Sequence, residues 1–247
     1  MRTLVYRGYA LACYGAFFAV FLYFIGFLVG YPGLATHIDR GLVSPWPEAV
    51  LIDALLVLGF GVQHSSMARE RVKQAMAVVV PPALNRATYC LVSSAALLAL
   101  CRLWHPIPAP VWHVTQGWAR VLLWGLCAGG IAITNLSSWL HNHFELFGLQ
   151  QAWDHATGRQ RDEPAFATPI LYRLVRHPIY TGFLMMIWST PDMSVGHLVL
   201  STCLTAYILI GVRFEEADLI TRFGAEYHAY RQKIPMLLPI PRGRRGG

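Results

Sequence analysis

The sequence predicts an all-α integral membrane protein with about six transmembrane helices. Hydrophobic residues make up 55% of its 247 positions, whereas Asp, Glu, Lys and Arg make up only 13%. Soluble globular domains carry about 25% charged residues, so the charged side chains here are too few to cover a water-facing surface of this size. Long uncharged runs recur along the chain, as membrane helices require. This composition argues against a soluble enzyme, a disordered protein or a secreted disulfide scaffold.

Four apolar runs before the polar block that starts at His141 predict four membrane helices. The first run, 8–30, contains no charged side chain. At ~1.5 Å per residue it spans a hydrocarbon core of ~30 Å. It is longer than the apolar region of a signal peptide, and no small-x-small cleavage site follows it. The other three runs lie at about 47–63, 86–102 and 121–140.

A later apolar run, 178–212, predicts the last two spans as a short helical hairpin. Asp192 is the only charged residue in it. One continuous helix over this run would be ~52 Å long, which is too long for a bilayer. The sequence Thr190-Pro191-Asp192 interrupts it, because proline stops a helix and aspartate favours a turn. The two segments that remain, of about 13 and 16 residues, would each measure roughly 20–25 Å.

The basic residues predict the orientation of the chain in the membrane. With the N-terminus inside and six spans, 17 of the 20 Lys and Arg residues fall on the cytoplasmic side, including Arg242, Arg244 and Arg245. Both termini are then cytoplasmic. A C-terminal helix on the same side is indicated by apolar and aromatic residues at spacings of four, four and three. These residues are Leu219, Phe223, Tyr227 and Tyr230.

The segment 172–182, which opens the hairpin, is the first candidate binding site. Proline in the first turn of a helix leaves the preceding amides free, and the positive helix end suits a carboxylate. Arginine and histidine add donors, and a glycine lets another group approach the backbone. The alternative is a basic anchor at the membrane edge. The candidate residues are Tyr172, Arg176, His177, Pro178, Tyr180 and Gly182.

Two adjacent acids, Glu215 and Glu216, form the second candidate, at the end of the other hairpin helix. Neighbouring carboxylates beside a membrane repel each other unless they meet donors or cations. A helix C-terminus also disfavours anions. The pair therefore indicates a cationic or hydroxyl-rich ligand, or an internal partner such as Arg176. The alternative is a solvated helix end.

The third candidate is the polar block 139–151, which leaves the fourth span. His143 or Glu145 could accept a proton, and Gln150 could hydrogen-bond a purine edge or an amino acid head. Two histidines at i and i+2 do not share a helix face, so a metal site is not predicted. Helix capping and polarity at the membrane edge are the structural alternative. The further candidates here are Trp139, Asn142 and Phe144.

The ordered set of these motifs resembles the membrane methyltransferases, which include the isoprenylcysteine carboxyl methyltransferases and the phospholipid methyltransferases. The motifs are Arg176-His177-Pro178-Ile179-Tyr180-Thr181-Gly182, Glu215-Glu216, Leu219, Phe223-Gly224-Ala225-Glu226-Tyr227, Tyr230-Arg231 and Pro235. The block 141–153 and the stretch 188–197 narrow the resemblance to the bacterial methanethiol S-methyltransferases. It then covers a little under half of the chain, with a looser match toward the N-terminus.

The resemblance implies S-adenosylmethionine as methyl donor, S-adenosylhomocysteine as product and no metal. It implies an enzyme of the bacterial cytoplasmic membrane that methylates a small apolar thiol. We expect one membrane domain over 1–247, with a four-span scaffold in 1–140 and the cofactor-binding catalytic part in 141–240. Beyond membrane lipid and the thiol, no nucleic acid partner is expected.

The resemblance also implies roles for the candidate residues. The predicted catalytic residues are His143, as base, and Glu145, which orients it or replaces it. Residues predicted to bind the cofactor are Gln150, Tyr172, Arg176, His177, Pro178, Tyr180, Gly182, Glu215 and Glu216. Residues predicted to bind the substrate are Trp139, Asn142, Phe144 and Arg231. Two alternatives remain: methylation of a lipid or isoprenylcysteine-type acceptor, and a non-catalytic membrane component of a respiratory operon.

Overall fold

The computed structural model describes residues 2–159, 161 and 166–240. The ten helices assigned in these residues are α1 Arg2–Leu28, α2 Trp46–Met67, α3 Glu70–Met76, α4 Asn85–Arg102, α5 Gly117–Leu140, α6 His143–Leu146, α7 Leu149–Thr157, α8 Pro178–Trp188, α9 Val195–Phe223 and α10 Ala225–Lys233. Five of them, α1, α2, α4, α5 and α9, are long and apolar enough to cross a membrane. The predicted fold class, an all-α integral membrane protein, is confirmed. Arg242, Arg244 and Arg245 of the predicted basic tail lie outside the described residues.

The hairpin has one short helix and one long helix, which corrects the expectation of two short ones. The predicted break at Thr190-Pro191-Asp192 is present, and α8 ends shortly before it at Trp188, with 11 residues and a length of ~16 Å. However, α9 has 29 residues and a length of ~43 Å, because no proline or glycine lies between Val212 and Gly224. Glu215 and Glu216 therefore lie inside a helix and not at its end.

A pair of short antiparallel strands precedes α9 and was not predicted. The strands are β1 Pro110–His113 and β2 Asp192–Ser194. The backbone amide of Gly196 donates to the carbonyl of Ile107 at 3.0 Å, which extends the pairing. Strands this short give too brief a pattern to be recognised in an apolar sequence.

The described residues divide into two compact units, each drawn from several parts of the chain. The first unit contains the described residues of the ranges 2–113, 142–161 and 192–204, and the second contains those of the ranges 114–141, 166–191 and 205–240. The predicted boundary between a scaffold and a catalytic part at residue 140 stays a prediction.

In the first unit, α1 packs against α4 and α7. Small side chains make this contact close, as the fully buried Ala10, Ala87 and Ala152 indicate. Gly148, which precedes α7, has φ +81, and a Cβ there would lie 2.9 Å from the carbonyl carbon of Arg86. Only glycine accepts this conformation and this approach without strain. The turn between α6 and α7 is thereby held against α4.

In the second unit, α8 packs along α5, and two glycines bring the helices together. A Cβ on Gly182 of α8 would lie 2.5 Å from the carbonyl oxygen of Gly130 of α5. Thr134 adds a hydrogen bond of 3.4 Å from its hydroxyl to the carbonyl of Ile179. Helix packing thus accounts for glycine at position 182, and its predicted role beside a cofactor stays a prediction.

The aromatic stripe from Leu219 to Tyr230 does not lie on a single helix. Gly224 has φ +53, which ends α9 at Phe223 and starts α10 at Ala225. A positive φ cannot continue a right-handed helix. The predicted C-terminal helix is therefore α10 alone, and the stripe crosses a bend.

Candidate active site

The start of α8 is fastened to the C-terminal segment of the chain. The backbone amide of Arg176 donates to the carbonyl of Pro235 at 2.9 Å, and that of His177 donates to the carbonyl of Met236 at 3.2 Å. The Thr181 hydroxyl donates to the carbonyl of Leu237 at 2.7 Å. The sequence suggested that the amides before Pro178 were free for an anionic ligand. That expectation is wrong for residues 176 and 177, because the C-terminal segment accepts both protons.

Beside this junction lie six charged or polar residues, called here the Glu216 cluster. Its centre is the carboxylate of Glu216, whose side chain is 7% exposed. Arg176 contacts Oε1 at 2.7 Å through Nε and at 2.6 Å through Nη2, and His177 Nε2 lies 3.2 Å from the same oxygen. Arg231 contacts Oε2 at 3.0 Å. The cluster consists of Arg176, His177, Tyr180, Glu215, Glu216 and Arg231.

Glu215 is the exposed acid of the cluster. Its side chain is 45% exposed, and its Oε2 accepts a hydrogen bond of 2.9 Å from the Tyr180 hydroxyl. The Nδ1 atom of His177 lies 3.8 Å from Oε1. The imidazole of His177 is therefore located between two carboxylates, one buried and one open to a ligand.

Three tyrosines surround the cluster. The hydroxyl of Tyr230 donates to the carbonyl of Tyr172 at 2.5 Å, and the Tyr172 ring stacks on His141 at 5.7 Å between centroids. Burial raises the pKa of Tyr230 to about 12, opposed by Arg176 and supported by Glu216. The hydroxyl of Tyr227 is buried and has no hydrogen-bond partner among the described residues. Burial raises the pKa of all three phenols, so they stay protonated, and the Tyr227 hydroxyl is available as a donor.

The predicted catalytic histidine lies in the first unit, in an aromatic environment called here the His143 cluster. His143 is 2% exposed, and its Nε2 atom lies 2.7 Å from the hydroxyl of Tyr14 in α1. The Phe147 ring lies 4.8 Å from the imidazole and the Phe18 ring 6.1 Å from it. Burial lowers the pKa of His143, which favours the neutral imidazole. The cluster consists of Tyr14, Phe18, His143, Phe144 and Phe147.

The turn that carries His143 is held by side-chain amides. Asn142 has φ +63, and its amide donates to Glu145 Oε2 at 2.8 Å and to Gln150 Oε1 at 2.9 Å. Asparagine tolerates a positive φ better than most residues, which explains its place before α6. Phe144 and Trp139 are exposed. The roles predicted for these five residues toward a ligand stay predictions.

Sequence similarity identifies the kind of protein that carries these clusters. A methanethiol S-methyltransferase of a Pseudomonas species is 46% identical over 231 residues, which are 94% of this chain and 88% of that protein. A methanethiol S-methyltransferase of Mycobacterium tuberculosis is 42% identical over 233 residues, or 94% of this chain and 95% of that protein.

The chain belongs to the methanethiol S-methyltransferase family. The predicted enzyme class, an S-methyltransferase, is confirmed by this membership. Nurim of Pan troglodytes is a more distant relative, 32% identical over 201 residues, which are 75% of this chain and 72% of Nurim. None of the protein-family models searched matches the chain, and no solved structure matches it.

The second unit of this family member brings together most of the residues expected to bind a cofactor. Arg176, His177, Tyr180, Glu215 and Glu216 are mutual neighbours in the Glu216 cluster. Gln150 lies with Asn142 in the first unit instead. Among the described residues no group of three His, Cys, Asp or Glu side chains could hold a metal ion.

Sequence reasoning missed two features of this family member. Tyr14 contacts His143 across 129 positions, and nothing in an apolar helix distinguishes this tyrosine from a packing residue. The backbone bonds from Arg176 and His177 to residues 235 and 236 were also missed. The only signal for them was the proline-rich end of the chain.

Proposed function

We propose that the chain transfers a methyl group from S-adenosylmethionine to methanethiol, giving S-adenosylhomocysteine and dimethyl sulfide. The observation that carries the proposal is the similarity to enzymes named for methanethiol methylation over 94% of this chain. Small apolar thiols dissolve in hydrocarbon, so methanethiol can reach a membrane enzyme through the lipid.

The chemistry of the Glu216 cluster fits the proposed methyl donor. The donor's amino acid end carries an ammonium and a carboxylate, which pair with carboxylate and guanidinium groups respectively. The cluster offers the exposed Glu215 and the half-exposed Arg231. The buried Tyr227 hydroxyl offers a donor that no described residue uses. When bound, S-adenosylmethionine supplies the methyl group on a positively charged sulfur.

We assign His143 as the base for the thiol. A small alkyl thiol has a pKa of ~8.5 or above and is mostly protonated at neutral pH. Burial lowers the pKa of His143, so a neutral imidazole is available to accept the proton. The Tyr14 hydroxyl, 2.7 Å from Nε2, orients the imidazole that takes the thiol proton.

The proposed location is the bacterial cytoplasmic membrane, with both termini and the Glu216 cluster on the cytoplasmic side. Support comes from the five membrane-length apolar helices, which with the short apolar α8 make up the six passes of the predicted topology, and from the bias of 17 of 20 basic residues to one side of it. S-adenosylmethionine is charged and is made inside cells, so its site has to open toward the cytoplasm. Lipid contacts the exposed apolar faces of the helices.

A labelled methyl donor tests the proposal. Membranes that contain the full chain are given methyl-labelled S-adenosylmethionine and methanethiol, and labelled dimethyl sulfide is measured in the headspace. We expect label in the headspace that depends on the thiol. If extracted lipid is labelled and dimethyl sulfide is not, the methyl acceptor is a lipid and not methanethiol. No binding of S-adenosylhomocysteine in calorimetry would contradict an enzyme of this kind altogether.

A further inference from the structure

An apolar cavity of about 220 Å³ lies in the second unit, between α8 and the C-terminal segment 234–240. Its α8 wall repeats at intervals of three and four residues, so one face of that helix borders the cavity. Gly182 and Met186 lie on the other face, which is buried and packs on α5. The residues that line the cavity are Thr181, Leu184, Met185, Trp188, Leu237 and Leu238.

The wall of this cavity suits an apolar occupant. Its two side chains with a hydrogen-bond donor already use it. The Thr181 hydroxyl donates to the carbonyl of Leu237 at 2.7 Å, and Trp188 Nε1 donates to Thr205 Oγ1 at 2.9 Å. A buried water needs two to four polar partners, which this wall does not offer. Protein interiors contain few voids larger than a water molecule, so we expect apolar material to fill the space.

The short length of α8 identifies the source of that material. The helix is ~16 Å long, whereas the hydrocarbon core is ~30 Å thick. Lipid adapts around an apolar element that is too short for the bilayer. Leu184, Met185 and Trp188 are half-buried, and Leu238 is 61% exposed. An acyl chain of the bilayer can therefore enter the cavity beside Leu238.

A basic residue lies close to this entrance. Lys233, the last residue of α10, is exposed, and the four residues from it to Leu237 span no more than ~14 Å. A lysine near a membrane surface attracts anionic lipid. The exposed Leu238 and Ile240 follow in the same segment. The segment thus presents a charge and then apolar side chains, which matches the order of headgroup and chain in a phospholipid.

We propose that the cavity binds one acyl chain of an anionic phospholipid, whose phosphate lies at Lys233. The acyl chain contacts Leu184, Met185 and Trp188 along α8, and Leu238 at the entrance. The bound lipid fills the space beside the short helix and supports the C-terminal segment against it. The proposal needs only the membrane location of the protein and does not depend on the methyl transfer reaction.

Native mass spectrometry counts the phospholipids that stay on the purified full chain. The protein is delipidated in detergent and then given phosphatidylglycerol, which is anionic, or phosphatidylcholine with the same acyl chains. We expect the wild type to retain one phosphatidylglycerol and to melt at a higher temperature with it, since a ligand of the folded state stabilises that state.

Leu184→Trp tests the acyl chain by filling the cavity. It should weaken retention of phosphatidylglycerol more than about 10-fold, because each methylene kept out of the cavity costs roughly fourfold in affinity. The control Leu122→Trp makes the same change at a side chain of α5 that is 54% exposed, and it should not alter retention.

Lys233→Gln tests the headgroup. It should lower the preference for phosphatidylglycerol over phosphatidylcholine about 5-fold, the usual contribution of one basic residue near a membrane surface. The control Lys73→Gln changes the other lysine of the chain, in α3, and should leave the preference as it is.

Melting of the lipid-free proteins separates filling of the cavity from misfolding. Leu184→Trp should melt at or above the wild type, because a filled cavity gains contacts. If it does not fold, Leu238→Gln at the exposed entrance replaces it and should also weaken retention.

Equal retention of phosphatidylglycerol by the wild type and the cavity variants would overturn the proposal. If methanethiol turnover then fell in Leu184→Trp, the cavity would hold the thiol instead. A chain that retains the lipid but has no methyltransferase activity would contradict the proposed function and leave the lipid site intact.

Discussion

The His143 cluster and the Glu216 cluster each bury a titratable side chain, and they do so by opposite means. His143 is surrounded by aromatic rings and one hydroxyl, whereas Glu216 is surrounded by two guanidinium groups and an imidazole. Burial lowers the pKa of a histidine and favours its neutral form, whereas burial beside cations keeps a glutamate charged. The first arrangement leaves a group that can take a proton, and the second leaves a group fully engaged in structure.

The largest effect should be a loss of stability when the ion pair of the Glu216 cluster is broken. Arg176→Met removes the buried cation, leaves the Glu216 carboxylate with only His177 and Arg231 of its contacts, and leaves the carbonyls of Arg231 and Ile234 without this donor. Breaking one partner of a buried pair costs about 3–5 kcal/mol. The melting temperature of the full chain in detergent should fall by roughly 6–20 °C.

The matched control is Arg173→Met, three positions earlier. Arg173 is exposed, and its Nε donates to the carbonyl of Thr168 at 3.2 Å. Its loss should cost no more than about 0.5 kcal/mol, as for most surface positions. A similar drop for both variants would mean that burial of the ion pair does not account for the stability of the cluster.

The next largest effect should come from changing the His143 cluster, and it should lower the reaction rate and not the stability. His143→Gln should lower turnover of methanethiol by roughly 10²–10⁴, the usual contribution of a general base. Because burial lowers the pKa of His143, the wild-type rate should stay level near pH 7 and fall only below about pH 6.5, as the imidazole takes up a proton. Binding of S-adenosylhomocysteine should not change.

The pH dependence of the variant sharpens this result. Without the base, only thiolate that has already formed in solution attacks the methyl group. The difference in turnover between the wild type and His143→Gln should therefore shrink as the pH rises toward ~8.5 and above. The control His141→Gln changes an exposed histidine two positions earlier and should keep most of the rate. If His143→Gln lost the same fraction of turnover at every pH, His143 would not be the base.

The fold was largely predictable because breaks in apolar runs are local signals. Pro191 marked the end of the first hairpin helix, and uncharged runs marked the spans. The length of α9 was not predictable from polarity, since Glu215 and Glu216 look like the end of a membrane segment. They continue the helix because Arg176, His177 and Arg231 neutralise Glu216 from elsewhere in the chain.

The candidate site was predictable as a set of residues but not as a set of roles. Sequence order associated Glu215 with Glu216, although one is open and the other enclosed. The amides of Arg176 and His177 looked free, since no pattern predicts a partner as distant in the sequence as Pro235 or Met236. Roles depend on which lone pairs and protons are already used, and only tertiary contacts decide that.

The smallest effect should come from the hydroxyl of Tyr14. Tyr14→Phe keeps the ring that packs on Phe147 and removes only the 2.7 Å contact to His143 Nε2. One such hydrogen bond is worth about 0.5–1.5 kcal/mol, so the rate should fall about 2- to 12-fold. Headspace measurement of dimethyl sulfide resolves this change.

The control lies on the same helix, five positions earlier. The Tyr9 hydroxyl contacts Thr88 Oγ1 at 3.0 Å, so Tyr9→Phe makes the same chemical change at a distance from the imidazole. If Tyr14 orients the base, Tyr14→Phe should lower the rate while Tyr9→Phe does not. Equal losses of rate in the two variants would mean that both hydroxyls only hold α1 in place. The aromatic rings of the His143 cluster would then orient His143 without the hydroxyl.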